Sequence, residues 1–258
     1  MESDHLSPES LKQAKEYKMI FDYHTHTVFS HGKGTIEDNV REAISKGLKG
    51  IAISDHGPGH LTYGVKRENL PVMREEIEAL KTKYPEIEIL LSVEANIIYK
   101  NPFIDLKEED KEHLDFVIAG YHFGVTKGNC VGNWLDSHIG YPAVTGDKLK
   151  LMNTDMTVAA VYENDLKILT HPGDKGRFDI KAIARACEDK GTWMELNMKH
   201  PFLDIEGIKT ASKFDVTFVI SSDAHIPGRV GTFETALARA FDAGLEPERI
   251  INIARINR

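Results

Sequence analysis

Runs of apolar residues about as long as a β-strand recur along the chain, separated by stretches with helical patterning. The runs are KMIFDY (18–23), GIAIS (50–54), IEILLSV (87–93), DFVIAG (115–120), LKILT (166–170), WMELN (193–197) and VTFVIS (216–221). Most are continuously apolar and rich in Ile and Val, as suits parallel strands covered on both faces. Helices are predicted between most of them. TIEDNVREAISKGLKG opens on Thr35 as a cap and closes at Gly47 or Gly50. NLPVMREEIEALKTKY has Asn69 as its cap and Pro71 in its first turn, and DIKAIARACEDKG runs from Asp179 to Gly191. TFETALARAFDAG follows the seventh run. Polar caps at the start and glycine just past the end are the expected punctuation.

Seven strands alternating with helices predict an α/β fold with parallel strands, either closed as a TIM-like barrel or open as a doubly wound sheet. An open sheet of that kind normally carries GxGxxG after its first strand, whereas this chain reads HTHTVFSHGKG there. The barrel is therefore the expectation. Residues 19–258 are expected to form it as one domain, with residues 1–18 as an N-terminal, helical extension. Residues 122–146, HFGVTKGNCVGNWLDSHIGYPAVTG, break the rhythm and are expected to form a binding loop or lid.

Composition narrows the function classes. With 258 residues, 41% hydrophobic and 28% charged, the chain has the make-up of a globular protein. A net charge of −8 argues against long nucleic acid or an anionic membrane as the main partner, though bound divalent metals would add positive charge locally. Cys130 and Cys187 form no CxxC motif and no disulfide framework. The N-terminus lacks the apolar core of a signal peptide, and no run approaches the ~20 residues needed to span a bilayer, so a cytoplasmic protein is expected.

The metal-capable residues fall on this rhythm in a regular way. His24 and His26 end the first strand, and His31 lies in the next turn. His56 follows the second strand, Glu94 closes the third, His122 follows the fourth and His171 the fifth. Asp223 and His225 follow the seventh. In a parallel barrel the C-terminal ends of the strands converge on one face, where active sites are built. One histidine after a strand is more often a hydrogen-bonded loop residue than a ligand. The His24–x–His26 pair says more, because a period of two puts both rings on one side of an extended segment. Asp22 and Asp55 either orient imidazoles or serve turns and caps. His5, His60, His113, His138 and His200 lack a repeated placement, and of these His60 and His200 come nearest the inferred site.

DYHTHT, the following His31, SDHG, VEANI, GYH, THPG and SSDAH resemble, in order, the motifs of the PHP (polymerase and histidinol phosphatase) family across residues 22–225. The likeness is to the stand-alone bacterial phosphoesterases of that family. It implies a distorted seven-stranded (β/α) barrel holding three divalent metal ions. One ion would take His24, His26, Glu94 and Asp223. A second would share Glu94 and add His122 and His171, and the third would take His31, His56 and His225. Nitrogen and carboxylate donors without thiolate suit Zn, Mn or Fe.

The activity implied is hydrolysis of a small phosphate ester, histidinol phosphate being one family precedent. Glu94, Asp223 and His225 are the expected catalytic set, with a hydroxide activated by the metals attacking phosphorus and no covalent phosphoenzyme. Lys199 and Arg229 follow strands and are candidate substrate-phosphate ligands. The sequence departs from many relatives at ELNMKHPF after the sixth strand, which bears on the substrate more than on the chemistry. Three other readings stand beside this one. They are a nucleotide-directed phosphodiesterase or exonuclease of the same family, an amidohydrolase-type metal hydrolase, and a non-catalytic metal-binding regulatory module. An amidohydrolase would leave His31 and His56 unexplained.

Overall fold

The structure, a computed structural model, describes residues 6–256. Helix α1 (Pro8–Ala14) leads into β1 (Tyr17–Met19) and β2 (Phe21–Thr25), followed by α2 (Ile36–Ser45), β3 (Gly50–Ile53), α3 (Leu70–Lys83) and β4 (Glu88–Leu91). Then come β5 (Glu94–Asn96), α4 (Glu108–Lys111), β6 (Val117–Gly120), α5 (Cys130–Ile139), α6 (Ala143–Glu163) and β7 (Leu166–Leu169). The chain finishes with α7 (Ile180–Lys190), β8 (Trp193–Asn197), α8 (Ile205–Ala211), β9 (Phe218–Ser221), α9 (Glu234–Asp242) and β10 (Ile253–Arg255).

Eight of these strands are parallel and lie in two sheets, β2-β3-β4 and β5-β6-β7-β8-β9. The expected count of seven is corrected at two places. The run at 18–23 is divided: β1 pairs antiparallel with β10, and only β2 joins the parallel array. The run at 87–93 ends as β4, and β5 begins at Glu94, because the chain changes neighbours there. The Ser92 N–H donates to Ile53 O of β3, whereas Val93 O accepts from the Ile118 N–H of β6.

Single bridges join the two sheets at both margins, Thr25 to Ala224 and His56 to Glu94, each in parallel sense. Side chains supply much of the hydrogen bonding between β2 and β9. The buried amide of Asn252 donates to Phe21 O and Ile220 O and accepts from the Ile220 N–H, so it stands in for ladder bonds. Asp22, also buried, accepts from Ser222 N–H, Ser222 Oγ and Gly231 N–H.

The helices follow their local signals. Thr35 and Asp38 form a reciprocal capping box on α2, and Asp179 caps α7 by accepting from Lys181 and Ala182 N–H groups. Gly191 ends α7 in the left-handed region at φ 68°. Asn69, read as a cap, makes no capping bond because it sits in the 3-10 turn that precedes α3. The segment 122–146 is no simple loop, since it contains α5 and the start of α6. Of the N-terminal extension, residues 1–5 lie outside the described residues. The remainder is helical only over α1, whose cap Ser7 and first-turn Ser10 donate their hydroxyls to Asp242 on α9, and its last two residues, Tyr17 and Lys18, belong to β1. Ile51, Ile53, Ile89, Leu91, Ile118, Ile168 and Ile220 of the strands are all buried, which is why their runs show no alternation. No helix among the described residues is long and apolar enough to cross a membrane.

Candidate metal centre

Glu94, the first residue of β5, is fully buried at the C-terminal end of the array. Its Oε1 lies 2.8 Å from His171 Nε2 and 3.3 Å from His122 Nε2. Its Oε2 lies 2.9 Å from His56 Nδ1, 3.3 Å from His24 Nε2 and 3.7 Å from His26 Nε2. One carboxylate thus faces five imidazoles that come from the ends of β2, β3, β6 and β7. Asp223, after β9, completes one side, its Oδ1 being 3.2 Å from both His26 Nε2 and His225 Nδ1. His31 stands beyond, its ring centroid 4.2 Å from that of His225 and 4.8 Å from that of His56. All nine candidates therefore meet in one continuous cluster.

The backbone pays attention to this face in an unusual way. His171 and Asp223 hold positive φ, at 29° and 50°, a conformation that side-chain-bearing residues adopt reluctantly. Gly120, at the end of β6, is required by close approach. A Cβ there would lie 2.1 Å from Thr170 Oγ1 and 2.7 Å from His171 Cε1. Thr170 in turn donates to Glu94 Oε1 at 2.7 Å.

The electrostatics of these groups suit a bound cation. Burial pushes His26 down to about 3 and His122 down to about 4, so both rings are neutral donors. Burial likewise holds His56 well below the ordinary imidazole value. Burial would also lower His24, but Glu94 and Glu195 outweigh it and favour a charged ring. Burial would raise Glu94 and Asp223, yet the surrounding histidines hold both well below the usual carboxylate range.

His24 and His26 present their Nε2 atoms to each other at 3.0 Å, a contact that at most one proton can bridge. Among the described residues, Nδ1 of His26, His31, His122 and His171 is buried without a hydrogen-bond partner. So many unpaired polar atoms in one place are costly unless a metal satisfies them. Three triads bring donor atoms within 4.8 Å of one another: His24, His26 and Asp223; His56, Glu94 and His122; and His26, His56 and His225. The second and third differ from the sets implied by resemblance, with His56 where one has His171 and His26 where the other has His31. The donors fit divalent metal ions.

Glu195 of β8 is the functional residue that sequence reasoning missed. It is fully buried, with Oε1 2.8 Å from His24 Nδ1 and Oε2 accepting the His171 N–H at 2.7 Å. The one available signal was its position, an acid inside the apolar run WMELN. Asp174, also passed over, lies 3.2 Å from His200 Nδ1 and 2.6 Å from Lys175 Nζ. Among the described residues, Asp22 and Asp55 accept from no imidazole nitrogen. Asp22 joins β2 to the Ser222 and Gly231 segments, and Asp55 holds the turn through Thr27 and Ser30.

The cluster opens into a cavity of about 200 Å³ lined also by His60, Tyr63, Lys175, Lys199 and His200. Lys199 Nζ is 3.1 Å from His225 Nδ1, whereas Arg229 lies outside this cavity, on a neighbouring one. His113 and His138 are absent from both linings, and His5 lies outside the described residues.

Buried imidazoles and carboxylates gathered at the C-terminal ends of parallel strands define a metal-dependent hydrolase type of centre. The model of the PHP domain matches residues 22–199. A probable phosphatase from Thermoanaerobacter sp. (strain X514) is 31% identical, the match covering 91% of each chain. A probable phosphatase from Caldanaerobacter subterraneus subsp. tengcongensis is also 31% identical, over 94% of this chain and 90% of the relative. Among solved structures, the histidinol phosphate phosphatase from Lactococcus lactis, complexed with Zn, L-histidinol and phosphate, superimposes with a TM-score of 0.61 at 18% identity. That match covers 88% of this chain and 95% of the other. The chain belongs to the PHP domain family and is a hydrolase of the phosphoesterase class.

Proposed function

We propose that the protein releases inorganic phosphate from small phosphate monoesters at a three-metal centre built around Glu94. The observation that carries this reading is the approach of five imidazoles to within 3.7 Å of one buried carboxylate. His24, His26, Glu94 and Asp223 would hold one ion, Glu94, His122 and His171 a second, and His31, His56 and His225 a third. When bound, such ions acidify water and polarise phosphoryl oxygens.

The protein's own part is to fix and charge the site. Glu195 orients His24 through Nδ1, which leaves Nε2 facing Glu94. Glu94 and Asp223 remain carboxylates, because the histidines around them outweigh their burial. Lys199 and Lys175 line the cavity and would hold phosphate oxygens that do not face the ligands. His200, also on this cavity, lies 3.2 Å from Asp174 and 3.5 Å from Asp223, and so closes its side.

The fold in this reading is a distorted barrel of seven staves, with β4 and β5 as one interrupted stave. Single bridges at its margins and the Asn252 amide between β2 and β9 support the closure.

The test is phosphate release by Mn- and Zn-loaded protein from sugar phosphates, histidinol phosphate, nucleotides, an aryl monoester and an aryl diester. Turnover of monoesters in preference to the diester is expected. Faster diester cleavage would move the protein to the phosphodiesterases, and no release from any ester would leave it a metal-binding module.

A further inference from the structure

The metal-facing cavity does not end at the ligands. Lys199, His225, Asp223 and His31 form a wall shared with a second, outer cavity of about 540 Å³. That volume suits a small organic molecule rather than a phosphate ion alone. Its other walls are Met198 and Ile226, which are apolar, the hydroxyl residues Ser222 and Thr232, and Lys33 and Arg229, which are cationic. Lys33 and Arg229 line this outer space and not the inner one. Among the described residues neither side chain has an ion-pair or hydrogen-bond partner, in a chain of net charge −8 with acidic groups in excess.

Both side chains are exposed, but the backbone turns that carry them are held against each other. The Lys33 N–H donates to His225 O at 2.8 Å, and Gly34 packs so closely on Pro227 that a Cβ would lie 2.4 Å from its ring. The turn bearing Arg229 is pinned on either side. The Lys46 ammonium donates to Gly228 O and Val230 O, and buried Asp22 accepts the Gly231 N–H. Two unpartnered cations on braced loops, beside an apolar floor, are arranged for an anion borne on a carbon skeleton.

We propose that the outer cavity receives the alcohol half of the substrate, and that this half carries a second anionic group, a carboxylate or a phosphate, bound by Arg229 and Lys33. This inference rests on the phosphomonoesterase reading, in which the phosphate to be cleaved sits in the inner cavity.

Two matched pairs of probes test it: 3-phosphoglycerate against glycerol 3-phosphate, and fructose 1,6-bisphosphate against fructose 6-phosphate. The first pair adds a carboxylate and the second a phosphate, so the two arms separate the two anions. The metal-loaded enzyme is expected to favour the doubly anionic member of at least one pair by about tenfold or more in kcat/KM, chiefly through KM. In Arg229→Gln and Lys33→Gln that preference is expected to shrink by about tenfold, with the metal content unchanged. Equal kcat/KM within both pairs, or a preference that survives both substitutions, overturns the inference while leaving the phosphatase reading intact. If none of the four probes releases phosphate while an aryl monoester is hydrolysed, that reading stands; if the aryl monoester is not hydrolysed either, that reading fails instead. Calorimetric binding of the same probes to the metal-loaded protein then decides the cavity. Tighter binding of a doubly anionic probe that Arg229→Gln weakens upholds the inference, and equal binding overturns it.

Discussion

Glu195 joins two of the centre's histidines with one carboxylate: Oε1 lies 2.8 Å from His24 Nδ1, and Oε2 accepts the backbone N–H of His171 at 2.7 Å. It thereby fixes the ring of one and the main chain of the other, across β2, β7 and β8. Glu195→Gln keeps the shape but sets an amide N–H against one of those donors. We expect metal affinity to fall about 10- to 100-fold, as is typical when the partner orienting a ligand is changed. Competition with a chelator of known affinity measures this. Unchanged affinity would mean that Glu195 supports only packing.

Gly120 has a sharper steric role. The methyl of Gly120→Ala would collide with Thr170 and His171, both of which lie against Glu94. Overpacking of this kind costs about 1–3 kcal/mol. Because the strain falls on the centre, phosphate release is expected to drop further than a urea midpoint shift of that size would suggest. Both can be followed on the same preparation.

Metal removal should be visible in stability as well as activity. The unpaired donors around Glu94 leave the metal-free fold with buried polar groups that a bound ion would satisfy. Free metal at 100 times its dissociation constant adds about 2.7 kcal/mol to stability through mass action. A melting temperature that climbs with Zn or Mn and falls with chelator is the expected result. One that ignores both would contradict it.

The N-terminal helix offers a pH test away from the centre. Asp242 accepts from Ser7 N–H and from the hydroxyls of Ser7 and Ser10. Burial would raise its pKa, but these bonds outweigh burial and hold it below the ordinary value of 3.8. A lowered folded-state pKa stabilises above the unfolded value, and that contribution is lost as pH falls through the folded pKa. Docking of α1 is therefore expected to be intact above about pH 4 and to loosen below it. Amide exchange across residues 8–14 reports this, and Asp242→Ala should loosen α1 at neutral pH.

How much of this was legible in the sequence follows the range of the interactions. The strand runs and the histidines at their ends stood out because local hydrophobicity and position mark them. The division of the run at 18–23 did not, since β1 exists through pairing with β10, more than 200 residues away. The helices within 122–146 were hidden by glycines and by α6 starting just after Pro142. Glu195 looked like one polar residue in a strand until the fold set it beside His24. Lys33 was invisible for the same reason: its meaning depends on the neighbouring turn at Arg229.

The central claim is that one metal centre held by these nine residues releases phosphate. His24→Ala tests it most directly, with metal per chain and phosphate release measured together on protein shown by circular dichroism to be folded. Three ions per wild-type chain, fewer in the variant, and a loss of phosphate release of more than about a hundredfold are expected. Unchanged release from the folded variant would contradict it.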